Sequence, residues 1–424
     1  MSETRRRLLW LFGIALIVRL LYIGAGIEVP PQDTPDYDEI AHNLLAGEGF
    51  VASSNWFGHE LRAWRAPLYP LLLAAVYAVW DNHVAVQVVQ AILGAVTVLL
   101  VYLLTRRLYP PAAIMAGGLA AGYEPLVASA NEVMTEALFT TLLVAAVAAA
   151  IEARHRPAWY WPTATGILVG LAALTRPVGL LAAPAILAVS AWEDFPGHRA
   201  WRRWLPFAGL LSAGVLAAML PWTVRNAAVL GAFVPLSTHG GFIVAGSNSE
   251  HPAWRQAHGW QIDKEMFDTY PGEVERDRRW MNQGMRWIVD HPGAWLGLSV
   301  QRFLRFGYVF RPDYNAAFVI IVPFLLAGMW GRGWDPGFRY LSAVSALSIA
   351  VFCLILYGST RFRLPLEAFF LVFATAAVVD GWHRWGVRFA AVCGAWVGCN
   401  ALARLFDDSL RGAVIGLLRA GGLK

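Results

Sequence analysis

Apolar residues dominate long stretches of the chain, near 8–26, 84–104, 110–130, 137–152, 160–192, 205–222, 315–330, 340–357, 365–381 and 389–404. Most approach the roughly 20 residues an α-helix needs to cross a hydrocarbon core about 30 Å thick. The run 160–192 is too long for one crossing. Proline cannot continue a helix, so Arg176-Pro177 predicts a hairpin of two spans turning there. The stretch 66–80 poses the opposite problem, because its length suits an interfacial or re-entrant helix as well as a span. Together these patterns predict an all-α polytopic membrane protein with roughly 10–11 transmembrane helices.

Loop charge chooses between the alternatives. If 66–80 does not span, Arg106-Arg107, Arg154 and Arg156, Arg199 with Arg202-Arg203, Arg332 with Arg339, and Arg384 with Arg388 share a side with Arg5-Arg6-Arg7. That satisfies the excess of basic residues in cytoplasmic loops, so 66–80 is read as interfacial and the N-terminus as cytoplasmic. Met1 to Arg7 ahead of Leu8 resembles a signal sequence in charge, but no small-residue cleavage site follows, and it is read as a retained first helix. Two long outer loops remain, 27–83 and 223–314, carrying amphipathic interfacial helices. The second holds a charge-rich segment from 273 that predicts a surface helix. The expected organisation is one integral domain over 1–404 and an amphipathic tail over 405–424.

Composition agrees. Of 424 residues 57% are hydrophobic and only 15% charged, with 20 Trp, where a soluble domain carries about 25% charge. The net charge of +5 reflects loop arginines, so nucleic acid is not expected as a partner. The three cysteines lie in apolar runs without CxxC spacing and read as packing residues.

On this topology the candidates for chemistry gather at the outer face. Asp33 and Thr34 precede Tyr37, Ile40, Ala41, Leu44 and Leu45 at helical spacing, so Asp33 is either only a helix cap or a site carboxylate as well. Glu132 and Glu136 share one helical face at the mouth of a span, through helix-dipole stabilisation or because they face a cavity. Arg176, Arg225, Arg361 and Arg363 lie at the ends of different helices. Each alone could snorkel, but four on one face point to an anion site, since guanidinium forks match phosphate oxygens. Tyr37, Arg65 and His239 are secondary candidates. His239 shares its loop with His251 and His258 at no metal-ligand spacing. The ligand this set implies is a lipid phosphate with its chain in the bilayer.

Six motifs in order carry a resemblance: Asp33-Thr34 through Gly49-Phe50, Arg65-Ala66-Pro67-Leu68-Tyr69-Pro70, Thr135 to Phe139, Leu174 to Pro177, Pro221 to Asn226 with Gly231 to Gly241, and Arg361 to Pro365. They resemble the bacterial branch of the protein O-mannosyltransferase-like superfamily, C-type (GT-C) integral-membrane glycosyltransferases that include the lipid A aminoarabinose transferases. The likeness runs from about residue 10 to 380 and implies the GT-C fold, a polyprenyl-monophosphate-linked sugar donor, and transfer at the periplasmic face of the bacterial inner membrane. It implies the acid/base role for Asp33 and an acceptor-side role for Glu136. The Asp-Glu pair of the eukaryotic enzymes is Asp33-Thr34 here.

A phosphomonoester departs as a stable anion, with a second pKa near 6, and needs no general acid. One base should suffice, where glycosidases need two carboxylates. Asp33 is therefore expected to deprotonate the acceptor, with inversion at the anomeric carbon, while Arg176, Arg225, Arg361 and Arg363 hold the phosphate and Glu136 orients hydroxyls. No cofactor is expected, a divalent metal being the weaker alternative. The acceptor, whether lipid, glycan or protein, stays open. A transporter or flippase of an anionic lipid-linked sugar, or a non-catalytic lipid-binding envelope protein, are the rival readings. Transporters place their sites near the midplane between repeated halves, and no repeat is evident here.

Overall fold

The computed structural model describes residues 3–27, 33–53, 59–156, 158–193, 201–250, 270, 272–307 and 312–405. Among them every regular element is helical, apart from one antiparallel bridge between Ala52 and Leu61. In chain order these are α1 (Glu3–Gly24), α2 (Thr34–Leu45), α3 (Leu68–Tyr77), α4 (His83–Leu108), α5 (Ala113–Gly122), α6 (Glu124–Ala128), α7 (Glu136–His155), α8 (Tyr160–Thr175), α9 (Ala182–Glu193) and α10 (Trp201–Leu230). The second long loop contributes α11 (Gly240–Ser247), α12 (Glu273–Asp290) and α13 (Pro292–Gly307), and the chain closes with α14 (Pro312–Arg332), α15 (Phe338–Leu354), α16 (Thr360–Trp385) and α17 (Val387–Leu405). The expected tail beyond Leu405 lies outside the described residues, as do His251 and His258.

By length and composition α1, α4, α7, Trp204–Leu230 of α10 and α16 can each cross a membrane. The ten residues of α3 span roughly 15 Å, half a hydrocarbon core, in keeping with an interfacial helix. As the Arg176-Pro177 break predicts, α8 and α9 are separate helices joined by a 3-10 turn over Pro177–Leu181. The run 110–130 is not one helix. Glu124-Pro125 ends α5 at Gly122, and α6 starts anew. Arg19 of α1, fully buried, donates to the carbonyls of Ala121 and Leu126 exposed by that break.

At the centre sits α16, whose Phe369, Leu371, Val372 and Phe373 are inaccessible to solvent. Small residues set a close approach between α8 and α10. A Cβ on Gly166 would stand 2.0 Å from the Leu211 carbonyl oxygen, so only glycine lets these backbones meet as membrane helices do.

Charged contacts sort the helix ends into two faces. At one, Arg154 and Arg339 pair with Glu193, while Tyr109 and Arg332 bond Asp380 at 2.7 and 2.8 Å, joining α7, α9, α14, α15 and α16. At the other, Asp33, Glu136, Arg176 and Arg361 meet. The predicted alternation of helix directions accounts for both groupings.

The loop 223–314 is more deeply integrated than expected. Arg302 of α13 donates to the carbonyls of Leu354 and Ser247 and to Asn248 Oδ1, so a buried guanidinium seats the C-terminal ends of α15 and α11, a placement the helix dipole favours. The opposite face of α13 exposes Leu296, Val300, Phe303 and Leu304, as suits contact with lipid.

Candidate active site

The cavity at the second face has a volume of about 280 Å³ and is lined by polar residues including Asp33, Tyr37, Arg65, Arg176, His239, Tyr357 and Arg361 and by apolar residues including Val178, Ile243, Phe352 and Phe362. That size, at the lower end of small-ligand pockets, suits one compact head group. Four separate stretches of chain supply the charges: the entry to α2, the loop before α3, the α8–α9 turn and the first turn of α16.

Asp33 occupies the N-cap position of α2, yet its carboxylate makes no capping bond. Instead Oδ1 accepts from Arg65 Nη2 at 2.9 Å and Oδ2 from Arg361 Nη1 at 3.0 Å. Burial pushes this carboxyl up, but the two guanidinium groups outweigh burial and hold it well below the usual range. It is a carboxylate at any physiological pH. Thr34 turns away to donate to the Val133 carbonyl at 3.1 Å.

Arg65 is pinned further by Asp36, at 2.6 Å from Nη2, and lies over the Tyr37 ring at 5.4 Å. Tyr37 is buried against Tyr69.

Glu136, at the first position of α7, is 1% exposed and absent from the cavity wall. Its Oε1 accepts from Arg176 Nη1 at 3.2 Å and from Arg361 Nε. Arg176 in turn lies 5.1 Å from the centre of the Phe362 ring. The carboxylate thus bonds two cations of the cavity without lining the cavity itself. Glu132 also lies off the cavity wall, in the loop before α7; burial and neighbouring Glu136 push it up to about 7.

Two of the four predicted phosphate ligands lie elsewhere. Arg225 donates to the carbonyls of Arg62 at 2.6 Å and Phe50 at 3.1 Å and stacks on Trp222. Arg363, 1% exposed, pairs with Glu367 one turn along α16 and caps α13 through the carbonyls of Phe306 and Gly307, both at 2.7 Å. Two positions on from Arg361, it points roughly to the opposite side of the helix.

His239 stacks on Phe242 at 5.1 Å and meets Trp64 at 4.4 Å with the rings tilted. Burial and Arg65 lower it to about 3, so its imidazole is neutral. Trp64, Asp36 and Tyr357 went unrecognised in the sequence. Asp36 was legible only as one acid of a helix start, and Tyr357 only as the aromatic before Gly358. Among the described residues no cluster of three or more His, Cys, Asp or Glu could hold a metal.

Residues 64–224 match the family described as dolichyl-phosphate-mannose-protein mannosyltransferase. The undecaprenyl phosphate-alpha-4-amino-4-deoxy-L-arabinose arabinosyl transferase of Pseudomonas aeruginosa (strain LESB58) is 28% identical over 233 residues, 52% of this chain and 40% of that protein. ArnT from Cupriavidus metallidurans, in a crystal structure bound to undecaprenyl phosphate, superposes with a TM-score of 0.57 at 15% identity, over 96% of this chain and 73% of that one. The chain has the fold of the C-type membrane glycosyltransferases. A second GT-C structure, the oligosaccharyltransferase of Archaeoglobus fulgidus, gives a TM-score of 0.58 at 15% identity over 95% of this chain and 54% of that one. The resemblance read from the sequence motifs holds. The chain spans 40% of the length of the curated relative and about half that of the archaeal GT-C structure.

Proposed function

We propose that the chain is a glycosyltransferase that moves a sugar from a polyprenyl-monophosphate carrier to an acceptor at the extracytoplasmic face of the bacterial inner membrane. The observation that carries this reading is the seating of the Asp33 carboxylate between Arg65 and Arg361, with Arg176 in the same cavity, whose lining also includes apolar residues. Such a cavity suits a sugar phosphate whose first lipid unit lies against Val178, Ile243, Phe352 and Phe362. Relatives bound to undecaprenyl phosphate and to a dolichol-phosphate support a lipid-linked donor. The arrangement of basic helix ends at the far face supports the orientation.

In the proposed step Asp33 takes the proton of the acceptor nucleophile. The nucleophile bonds to the anomeric carbon as the bond from that carbon to the phosphate oxygen breaks, with inversion, and the polyprenyl phosphate leaves with the electron pair. Arg176 and Arg361 neutralise charge growing on that phosphate, the kind of preorganised electrostatic stabilisation that lowers a barrier most. Glu136 anchors their guanidinium groups. Arg361 is shared between Glu136 and Asp33, so a phosphate that draws it away makes Asp33 a stronger base when the donor is seated. The test is release or transfer of sugar from a series of radiolabelled polyprenyl monophosphate sugars by the purified chain. Release that depends on Asp33 supports the reading; no release from any of them overturns it.

A further inference from the structure

We infer that Glu273 is a latch that sets Arg65 against Asp33, a positioning residue for the transfer proposed above and dependent on that reading for its catalytic meaning. Glu273 opens α12 but does not cap it. Its Oε2 accepts from the backbone N–H of Arg62 at 2.8 Å, and Oε1 accepts from that of Ala63 at 3.0 Å and from Thr238 Oγ1 at 2.5 Å. One carboxylate thus joins three parts of the chain far apart in sequence: the loop before α3, the segment entering α11, and α12.

The segment it grips has no regular structure of its own; Leu61 and Trp64 pack against Phe242 and Trp280, and its backbone is held by such bonds. Leu61 exchanges both backbone bonds with Ala52, at 2.9 Å each. The Arg62 carbonyl accepts from Arg225, and the Ala63 carbonyl from the Thr238 N–H at 2.9 Å. Each backbone polar group from 61 to 63 therefore has a partner, and Glu273 supplies both N–H contacts at 62 and 63. Trp64 and Arg65 follow immediately, both in the cavity wall, so Arg65 enters the site from an anchor two residues, about 7 Å of chain, away.

The anchor itself is rigid. Asp277 Oδ1 accepts from the Gly241 N–H at 2.6 Å. A Cβ on Gly241 would stand 1.9 Å from the Asp277 carbonyl oxygen, and one on Gly284 within 2.8 Å of the backbone at Val244 and Ala245. With α11 and α12 fused this closely, a shift of Glu273 carries His239 and Met281 of the cavity wall with it. This also gives Arg225 its place: it holds the same segment from the α10 side and does not reach the cavity.

The experiment uses the full chain in lipid nanodiscs, with Glu273→Ala and Glu273→Gln. Glu273→Ala should lower kcat about tenfold or more, with KM for the lipid donor within about twofold, because Arg176 and Arg361 stand on other elements. Glu273→Gln, which keeps one acceptor oxygen, should fall between. Adding Arg65→Ala to Glu273→Ala should cost little beyond Arg65→Ala alone; fully additive losses, or an unchanged kcat, would overturn the role. A substrate-free reading stands beside these. Amide exchange at Arg62 and Ala63 should quicken about tenfold in Glu273→Ala while α3 stays protected, and unchanged exchange overturns the latch whatever the activity. If the unmutated chain releases no sugar, the transfer reading falls, and exchange alone decides the latch. Should Glu273→Ala not fold, Glu273→Gln carries both measurements.

Discussion

Arg361 Nη1 lies 3.0 Å from Asp33 Oδ2, although 328 positions of chain separate the two. The start of the first long loop and the start of α16 are thus brought to one point, which gives the proposed transfer a cation for the donor phosphate and a carboxylate for the proton. Asp33→Asn keeps the shape and removes the base. Turnover should fall about 10²–10⁴-fold, as general-base losses do, with donor affinity nearly unchanged. Single-turnover release and a binding isotherm measure the two. Full activity in this variant would remove Asp33 from the role.

The arginines should divide into two classes. Arg176→Ala and Arg361→Ala, at the cavity, should weaken donor binding by about tenfold or more, the loss of a charge-assisted bond. Arg225→Ala should leave donor affinity nearly intact. Equal effects on affinity across the three would erase the distinction between cavity and scaffold.

Arg363→Ala leaves Glu367, 1% exposed, buried without its cation. Breaking a buried pair in this way costs about 3–5 kcal/mol. A matched apolar pair at 363 and 367 should recover much of that cost. Thermal unfolding in detergent compares the single and double replacements.

Gly241→Ala sets a methyl group against the Asp277 carbonyl, a backbone atom that cannot rotate away. Overpacking of this kind costs about 1–3 kcal/mol. It should push α12 from α11, lower the melting temperature and reduce turnover together, whereas Gly240→Ala, which meets only the end of Met281 at 3.4 Å, should be mild.

Two carboxyls predict opposite pH behaviour. Asp33 is depressed below its unfolded value of about 4, so its stabilising contribution is present above that pH and is lost only as pH falls through the lower folded value. Donor turnover should therefore show no acid limb from Asp33 between about pH 5 and 8. Glu132 is raised to about 7. The folded chain keeps a proton that the unfolded chain gives up above about 4, so stability falls as pH climbs from there towards 7. Melting temperature measured across that window should slope downwards, and the slope should shrink in Glu132→Gln. A Glu132→Gln variant with the same slope as the unmutated chain would refute the assignment.

Helix positions, the α8–α9 turn at Arg176-Pro177 and the common face of Asp33, Glu136, Arg176 and Arg361 were all legible in the sequence. Membrane helices must satisfy their own backbone, and hydropathy with loop charge then orders them. The destinations of Arg225 and Arg363 were not. Phosphate oxygens and helix C-terminal carbonyls present similar acceptors to a guanidinium, and only the fold brings the α13 end to Arg363 or the Arg62 carbonyl to Arg225. The α5–α6 break escaped notice because its surroundings remain apolar. Glu273 escaped because the residues it joins are about 35 and 210 positions away.

The ion pairs of Glu193 and Asp380 stand apart from the charges of the cavity. Those of Glu193 tie α7, α9 and α15, and those of Asp380 tie α14 and α16, at the end remote from the cavity, while at the cavity Asp33 and Glu136 hold cations that a bound anion would compete for. Under the proposed transfer, the rearrangement of ion pairs as a donor arrives is confined to Asp33, Glu136, Arg176 and Arg361, and the pairs of Glu193 and Asp380 keep their partners throughout.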